Sequence, residues 1–424
     1  MRIAHLPSSY LPEYLGGTEV YVRSLCNGLA SLGHECAVVW HTDAPAPSQW
    51  SGPEVQIRLP PHKLRKRADI YMKSTGSEPP GFRDFLVSWK PDVLHFHSFT
   101  LGAGIDHVRV ARSIGIPYFI TYHTPTQSCQ RGTLLRWGNE PCNGQIEPRR
   151  CAECSLEGRG VPKLMASALA LSPIPYKLSD GPWVSWLTLP SLITQSSDYW
   201  SEFFCGATHV VACAEFCRQV LLKNGLPEDR VTVHRQGLPG QDRERILRLP
   251  LHSEGRASRL GFFGRFTPVK GPDLLLEAVN QLRGSGIKVT AEFAGPIGTG
   301  DRAWADRLFS KSVARYHGTL QGDQLTEWLE SLDLVVLPSR CLETGPLTLL
   351  EAWDRCTPVI GTNLGGIQEF FKSNGLDDMG FDHNDSHDIA KAVHRAMNWS
   401  KPARVAVPGM DELASRMIEL YSKS

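Results

Sequence analysis

Short β-branched runs alternate with segments of helical period twice along the 424 residues of this chain. Such alternation argues for βα units around mainly parallel sheets. In the first series Ile3 to Leu6 reads as a strand, Glu19 to Leu32 as a helix ended by Gly33, and Glu35 to Trp40 as the next strand. Asp92 to Phe96, a helical Gly104 to Ile114 and Pro117 to Thr121 continue it. The second series opens with the strand Arg259 to Phe263 and the helix Asp273 to Leu282. It goes on through the strand Lys288 to Phe293, the helix Gln324 to Leu332, the strand Asp333 to Leu337, the helix Leu347 to Asp354 and the strand Thr357 to Ile360. Two similar α/β halves imply a cleft between them, and ligands of open parallel sheets bind at the carboxyl ends of strands.

The regular pattern stops after His123 and resumes with the strand Thr208 to Ala212 and the helix Ala214 to Lys223. A segment of that length is too long for a βα connection and needs structure of its own. The expected organisation is therefore a first domain over 1–245 carrying an insertion at about 125–205, and a second domain over 255–405. The charged stretch Asp242 to Arg256 reads as the connection. Residues 406–424 hold a last amphipathic helix, about Met410 to Ser422, that could return to the first domain.

An apolar content of 41% and a charged content of 21% indicate a globular protein, and a net charge of +1 gives no reason to invoke a nucleic-acid partner. Basic runs are local, at His62 to Arg67 and Arg149-Arg150. Met1 to Leu6 reads as a strand, not as a signal peptide, and the least charged region, Leu164 to Thr194, is broken by Pro173, Pro175, Lys177, Asp180 and Pro182. The expectation is a cytoplasmic chain without a transmembrane helix. Leu164 to Leu192, with Met165, Trp183 and Trp186, reads either as a buried helical hairpin or as a wall facing a lipid-linked acceptor, with peripheral contact to a membrane.

In a reducing compartment the 11 cysteines should be thiols or metal ligands more often than disulfides. Cys129, Cys142, Cys151 and Cys154 form C-x12-C-x8-C-x2-C, a spacing that suits a closed tetrahedral structural zinc site. An iron–sulfur cluster and free or disulfide-bonded cysteines are the alternatives. Cys213 and Cys217, at helical spacing, read as core residues.

Three further stretches carry chemistry. Glu343 and Glu351 flank a Gly-Pro break and an apolar run, so one carboxylate lies in a loop and the other about a turn into the helix that follows. A helix N-terminus favours an anion and carboxylates bind hydroxyls, so this segment suits a ligand that is both anionic and hydroxyl-rich. Phe263 to Gly271 places Arg265 and Lys270 in a strand-to-helix connection, where two cations could counter the charge of a diphosphate. Gly16-Gly17-Thr18-Glu19 precedes the first helix; paired glycines permit close backbone approach to a ligand, and Thr18 could cap the helix.

Taken in order, Gly-Gly-x-Glu, Gly-Arg-Phe-x-x-x-Lys-Gly, Glu-x7-Glu and Gly361-Thr-Asn-Leu-Gly-Gly-Ile-Gln-Glu369 resemble family 4 of the retaining glycosyltransferases with the GT-B fold, two Rossmann-like domains facing across a cleft. The resemblance covers most of the chain and is weakest in the insertion. It implies that Arg265 and Lys270 hold the diphosphate of a nucleotide-sugar donor, a UDP- or GDP-sugar. Glu351 would bind the ribose and Glu343 the sugar hydroxyls, with backbone contacts over Gly345, Pro346 and Leu347. It also implies that His123 lies near the reacting sugar and that Gly16 and Gly17 face the donor. Thr344-Gly345-Pro346 departs from the family's usual wording and leaves donor identity open.

No Asp-x-Asp occurs in the chain, so a metal-bridged diphosphate is not suggested, and protein cations would take the metal's place. The reading is a retaining, metal-independent hexosyltransferase acting on a glycan or lipid-linked glycan in cell-surface polysaccharide or glycoconjugate biosynthesis. A catalytically inactive sugar-nucleotide-binding partner is the alternative. A dinucleotide-dependent oxidoreductase would need G-x-G-x-x-G after a strand, which neither half offers.

Overall fold

The computed structural model describes residues 1–14, 16–44, 52–64, 67–178, 184–249, 256–310 and 314–423. The chain forms two compact units, Met1–Gln241 with Met410–Ser424, and Asp242–Gly409.

The first unit is built on a seven-stranded sheet, in the order Val55–Leu59, Glu35–His41, Arg2–Leu6, Val93–Phe96, Tyr118–Tyr122, His209–Ala212 and Val231–Val233. Every pairing is parallel. Its inner strands Glu35–His41, Arg2–Leu6 and Tyr118–Tyr122 are largely buried, as a sheet covered on both faces requires. The final helix, Met410–Tyr421, packs on the helix Gly17–Ser31, where a side chain at Gly28 would meet the Ala414 Cβ at 2.8 Å. Met410, Leu413, Ala414, Met417 and Tyr421 join the core of this unit.

The second unit holds a six-stranded parallel sheet, in the order Ala314–Tyr316, Val289–Ala294, Ser258–Phe263, Leu334–Leu337, Val359–Thr362 and Gly380–Phe381. The stretch read as a bare connection contributes structure instead: Arg243–Ile246 pairs antiparallel with Arg404–Val407. Its Arg-Glu-Arg-Ile sequence lacks an apolar run, and the pairing is long-range, so nothing local marks it.

The insertion has its own small core. Ala152, Leu156, Val161, Ala166, Ala170, Leu189 and Ile193 cluster where the helix Pro148–Glu157 meets Lys163–Leu169 and Leu189–Phe204. Leu189–Phe204 is buried along one face, as the hairpin reading requires, whereas Leu164, Met165, Leu171 and Leu178 are exposed. Trp183 and part of the basic run, residues 65 and 66, lie outside the described residues. Among the described residues, no helix is long and apolar enough to cross a membrane.

Candidate functional site

In the second unit the chemistry-bearing loops leave the carboxyl ends of three adjacent strands. Arg265 and Lys270 follow Ser258–Phe263, Glu343 follows Leu334–Leu337, and Gly365-Gly366 follows Val359–Thr362. Glycines allow these loops to touch. A Cβ on Gly271, at φ 72°, would meet the Pro338 carbonyl oxygen at 2.1 Å. One on Gly366 would lie 2.7 Å from the Gly345 amide nitrogen, and the Gly366 N–H donates to the Glu343 carbonyl (2.6 Å). The Gly361 to Glu369 motif, given no role from sequence, thus supports the Glu343 loop.

Lys270 Nζ donates to Glu343 Oε1 at 2.5 Å, and Ser339 Oγ donates to the same oxygen at 2.7 Å. Burial opposes ionisation of Glu343, but the Lys270 ammonium and the hydrogen bonds from Lys270 and Ser339 hold its carboxyl below the ordinary range. Burial works against Lys270 in the same way, and the Glu343 carboxylate more than restores its charge, while the exposed Arg265 acts on it as a neighbouring cation. The pair is therefore ionised at neutral pH. Arg340, which sequence reasoning passed over, fixes the lysine loop: its guanidinium grips Asp273 at 2.8 and 2.7 Å, and its backbone N–H donates to the Val269 carbonyl at 2.7 Å.

Glu351 lies in the helix Leu347–Asp354, which Pro346 precedes and no side chain caps. Its Leu349 N–H already donates to the Pro346 carbonyl at 3.0 Å, which leaves the N–H groups of Leu347 and Thr348 to face an anion. Glu351 is half-buried, and burial raises its carboxyl to about 7. Thr344 and Gly345 are buried beneath the next helix, whereas Glu343, Pro346 and Leu347 keep partial exposure.

In the first unit, Gly16 is the extended N-cap of the helix Gly17–Ser31. Thr18 is therefore inside the helix and does not cap it, contrary to the sequence expectation. Gly16 packs on Glu19, where a Cβ would meet Oε2 at 2.7 Å, while nothing lies within 4 Å of the Cβ position of Gly17. Gly17 is thus open to close approach.

His123 ends the strand Tyr118–Tyr122 and is buried, at 3% exposure. Burial lowers its imidazole to about 3, so it is neutral. Its Nε2 lies 3.0 Å from His97 Nδ1, and His97 Nε2 lies 3.0 Å from His5 Nδ1. At the other end of the ring, Gln236 Nε2 and Cys213 Sγ approach His123 Nδ1 at 3.5 and 3.9 Å. Burial pushes the Cys213 thiol up to about 12, so it remains a donor. With donors facing Nδ1, His123 carries its proton on Nε2 and donates to His97, which donates in turn to His5. His5, His97 and Gln236 were missed because nothing in their local sequence marks them. The pairing of Arg2–Leu6 with Val93–Phe96 brings His5 beside His97, and the loop after Val231–Val233 brings Gln236.

The four cysteines of the insertion are free and line one cavity of about 40 Å³, together with Arg131 and Arg150. A concavity of about 930 Å³ opens instead at the amino ends of the first sheet, beside Met1, Val93, Pro117 and Thr208. Substrates of parallel sheets bind at the opposite edge, so this hollow does not mark the chemistry.

Comparison with known proteins agrees with this geometry. A family model described as "Glycosyl transferase 4-like domain" matches residues 16–154, and one described as "Glycosyl transferases group 1" matches residues 257–398. A D-inositol 3-phosphate glycosyltransferase of Arthrobacter sp. is 24% identical over 396 residues, covering 89% of this chain and 82% of the relative. One of Frankia alni is 26% identical over 395 residues, covering 83% and 79%. Among solved structures, sucrose-phosphate synthase of Thermosynechococcus elongatus aligns over 100% of this chain and 98% of its own, with a TM-score of 0.60 at 14% identity. HepE of Anabaena, in complex with UDP and glucose, aligns over the same shares with a TM-score of 0.56 at 14% identity. These structural likenesses establish the fold as GT-B. With a glycosyltransferase family model on each of its two units, the chain belongs to the nucleotide-sugar-dependent glycosyltransferases of the group 1, family-4-like type.

Proposed function

We propose that the protein moves a hexosyl group, with retention of configuration, from a UDP- or GDP-sugar to a glycan or lipid-linked glycan acceptor in cell-surface polysaccharide or glycoconjugate biosynthesis. The observation that carries this reading is the Lys270–Glu343 pair at 2.5 Å, with the Arg265 charge acting on the same lysine. A half-buried cation already charged, held by a carboxylate at a strand end, is prepared to be shared with a diphosphate. Arg265, Lys270 and the N–H groups of Leu347 and Thr348 would stabilise the leaving nucleoside diphosphate without a catalytic metal. Glu351 would accept from the ribose hydroxyls and Glu343 from those of the sugar. Gly16, Gly17 and His123 are the substrate contacts proposed for the first unit. The four cysteines are given a structural part, apart from the reacting groups.

In the step itself, a bond forms between the acceptor oxygen and the anomeric carbon as the bond from that carbon to the phosphate oxygen breaks. The acceptor proton passes to the departing phosphate. His123, lowered to about 3, is a neutral imidazole at neutral pH, so its part is to orient and not to act as a general acid. UDP and glucose in the HepE structure favour UDP-glucose as the first donor to try, and the names of the curated relatives favour a phosphorylated polyol as one acceptor to include. Exposed Leu164, Met165, Leu171 and Leu178, with Lys163 and Lys177 nearby in sequence, support peripheral contact with a membrane that carries the acceptor.

The test is incubation with a panel of UDP-, GDP- and ADP-sugars and candidate acceptors, with the anomeric configuration of the product read by NMR. A retained product supports the reading. An inverted product, or nucleotide binding with no turnover on any acceptor or water, counts against it.

A further inference from the structure

The insertion brings four sulfurs from three separate pieces of chain to one small space. Cys129 follows the turn Pro125–Gln127, Cys142 follows the two-stranded ribbon of Leu135–Arg136 and Glu140–Pro141, and Cys151 and Cys154 lie one turn apart on the helix Pro148–Glu157. All four line the cavity of about 40 Å³, and none is in a disulfide. That space has room for an ion, since one water needs roughly 10–15 Å³ on a comparable measure.

Backbone amides face two of the four sulfurs. The Trp137 N–H is aimed at Cys154 Sγ (3.4 Å) and the Gly144 N–H at Cys142 Sγ (3.5 Å). Amide donors to sulfur are the outer partners that orient metal-bound ligands. Four thiolates around a divalent cation leave two negative charges in excess, and Arg131, Arg136 and Arg150 line the same cavity, Arg150 also pairing with Glu147 at 3.0 Å. Arg131 also donates to the Cys154 carbonyl at 3.0 Å, and Arg150 to the Gln145 carbonyl at 2.6 Å. The connecting chain turns sharply, with Gly132, Leu134, Trp137, Gly138 and Gly144 all at positive φ. Two of these are not glycine, so the loop is held in place by something beyond its own preferences.

In the histidine clusters several ring nitrogens are taken up by hydrogen bonds. His5 and His97 are bonded to each other, and His95 bonds Tyr421 and Thr121 through its two nitrogens. In the group of His41, His62 and His107, His41 bonds His107 and the Pro60 carbonyl. The cysteine sulfurs stand farther apart than in a closed tetrahedral site, so an ion would draw them inward to Zn–S bonds of about 2.3 Å.

We propose that Cys129, Cys142, Cys151 and Cys154 bind one zinc ion through four thiolates, and that the ion anchors the far end of the loop that begins at His123. Binding forms four Zn–S bonds and releases the four thiol protons to solvent. The link to His123 is short. The Cys129 N–H donates to the Pro125 carbonyl at 2.7 Å, and Gln127 Oε1 accepts from the His123 and Thr124 amides at 2.6 and 3.2 Å. The metal site stands independently of the transferase reading; only its effect on His123 rests on that reading.

The experiment is metal analysis of the full chain, purified without chelator or polyhistidine tag. About one zinc per chain is expected, with no iron or acid-labile sulfide, and cobalt exchanged for zinc should show the visible bands of a tetrahedral tetrathiolate site. Cys151→Ser and Cys154→Ser should lose the zinc, while Cys205→Ser and Cys356→Ser keep it. If the first two variants do not fold, titration of wild type with a mercurial should release about one zinc per four thiols. Stripping the metal should lower transfer at least tenfold yet leave nucleotide binding, whose residues lie in the second unit, within twofold. A wild type that holds no zinc and takes up no cobalt, one that holds iron and sulfide, or serine variants that retain zinc would each overturn the site. Zinc at full occupancy in a protein that transfers no sugar would leave the site standing and sink the transferase proposal. Unchanged transfer after stripping would overturn the anchoring role.

Discussion

Burial favours the neutral form of both Glu351 and His123, raising the one carboxyl to about 7 and lowering the one imidazole to about 3. Glu351 titrates at about 7 because burial disfavours its carboxylate. Its ionised form is the one able to accept two ribose hydroxyls, so donor affinity should be low below that value, rise through it and level off above it. The diphosphate of a nucleotide sugar does not titrate in that range, so the slope reports the protein. We expect UDP-glucose affinity to increase by up to about tenfold from about pH 6 to about pH 8, and Glu351→Gln to flatten the profile. A wild-type profile already flat by calorimetry would refute the ribose assignment. The buried imidazole chain makes a second prediction. His97 acts through His123, so His97→Leu should lower kcat roughly tenfold or more with nucleotide affinity unchanged, and His97→Gln, which keeps a hydrogen-bonding side chain, should recover part of it. An equal loss in both variants, matched by a fall in thermal stability, would make His97 a packing residue only.

The loops at the strand ends depend on contacts that glycine alone permits. Gly366→Ala should destabilise the second unit by ~1–3 kcal/mol and weaken nucleotide binding, because its Cβ would lie 2.7 Å from the Gly345 nitrogen, 2.8 Å from the Thr344 carbonyl carbon and 2.9 Å from the Glu343 oxygen. Chemical denaturation and a nucleotide titration on the same variant check both parts; full stability with wild-type affinity would refute the close approach. The helix Leu347–Asp354 was legible from sequence because Gly-Pro precedes a compact apolar run, and Arg265 and Lys270 because they follow the strand Ser258–Phe263. The short strands Val55–Leu59, Val231–Val233 and Ala314–Tyr316 were not, since each is brief and partly exposed and gains its identity from a neighbour far away in the chain. Arg340 and Ser339 were hidden for a related reason. An arginine reads as solvated until Asp273, 67 positions away, is seen to meet it.

Across the whole molecule, both sheets are parallel and both bring their polar side chains to the carboxyl edge, while the net charge of +1 leaves ligand binding to local cations. A nucleoside diphosphate that binds only the folded chain at 100 times its Kd should add ~2.7 kcal/mol of stability, visible as a raised melting temperature. Screening UDP, GDP and ADP in this way identifies the base, and a shift with none of them would contradict a nucleotide-sugar donor. The central claim is that protein cations, and not a metal, hold the donor diphosphate, and calorimetric titration of that nucleotide into wild type, Arg265→Ala and Lys270→Ala, each with and without Mg²⁺, tests it most directly. The account predicts wild-type binding indifferent to Mg²⁺ and at least about tenfold weaker in each folded variant. Wild-type affinity in both variants, or binding that appears only with Mg²⁺, would contradict it.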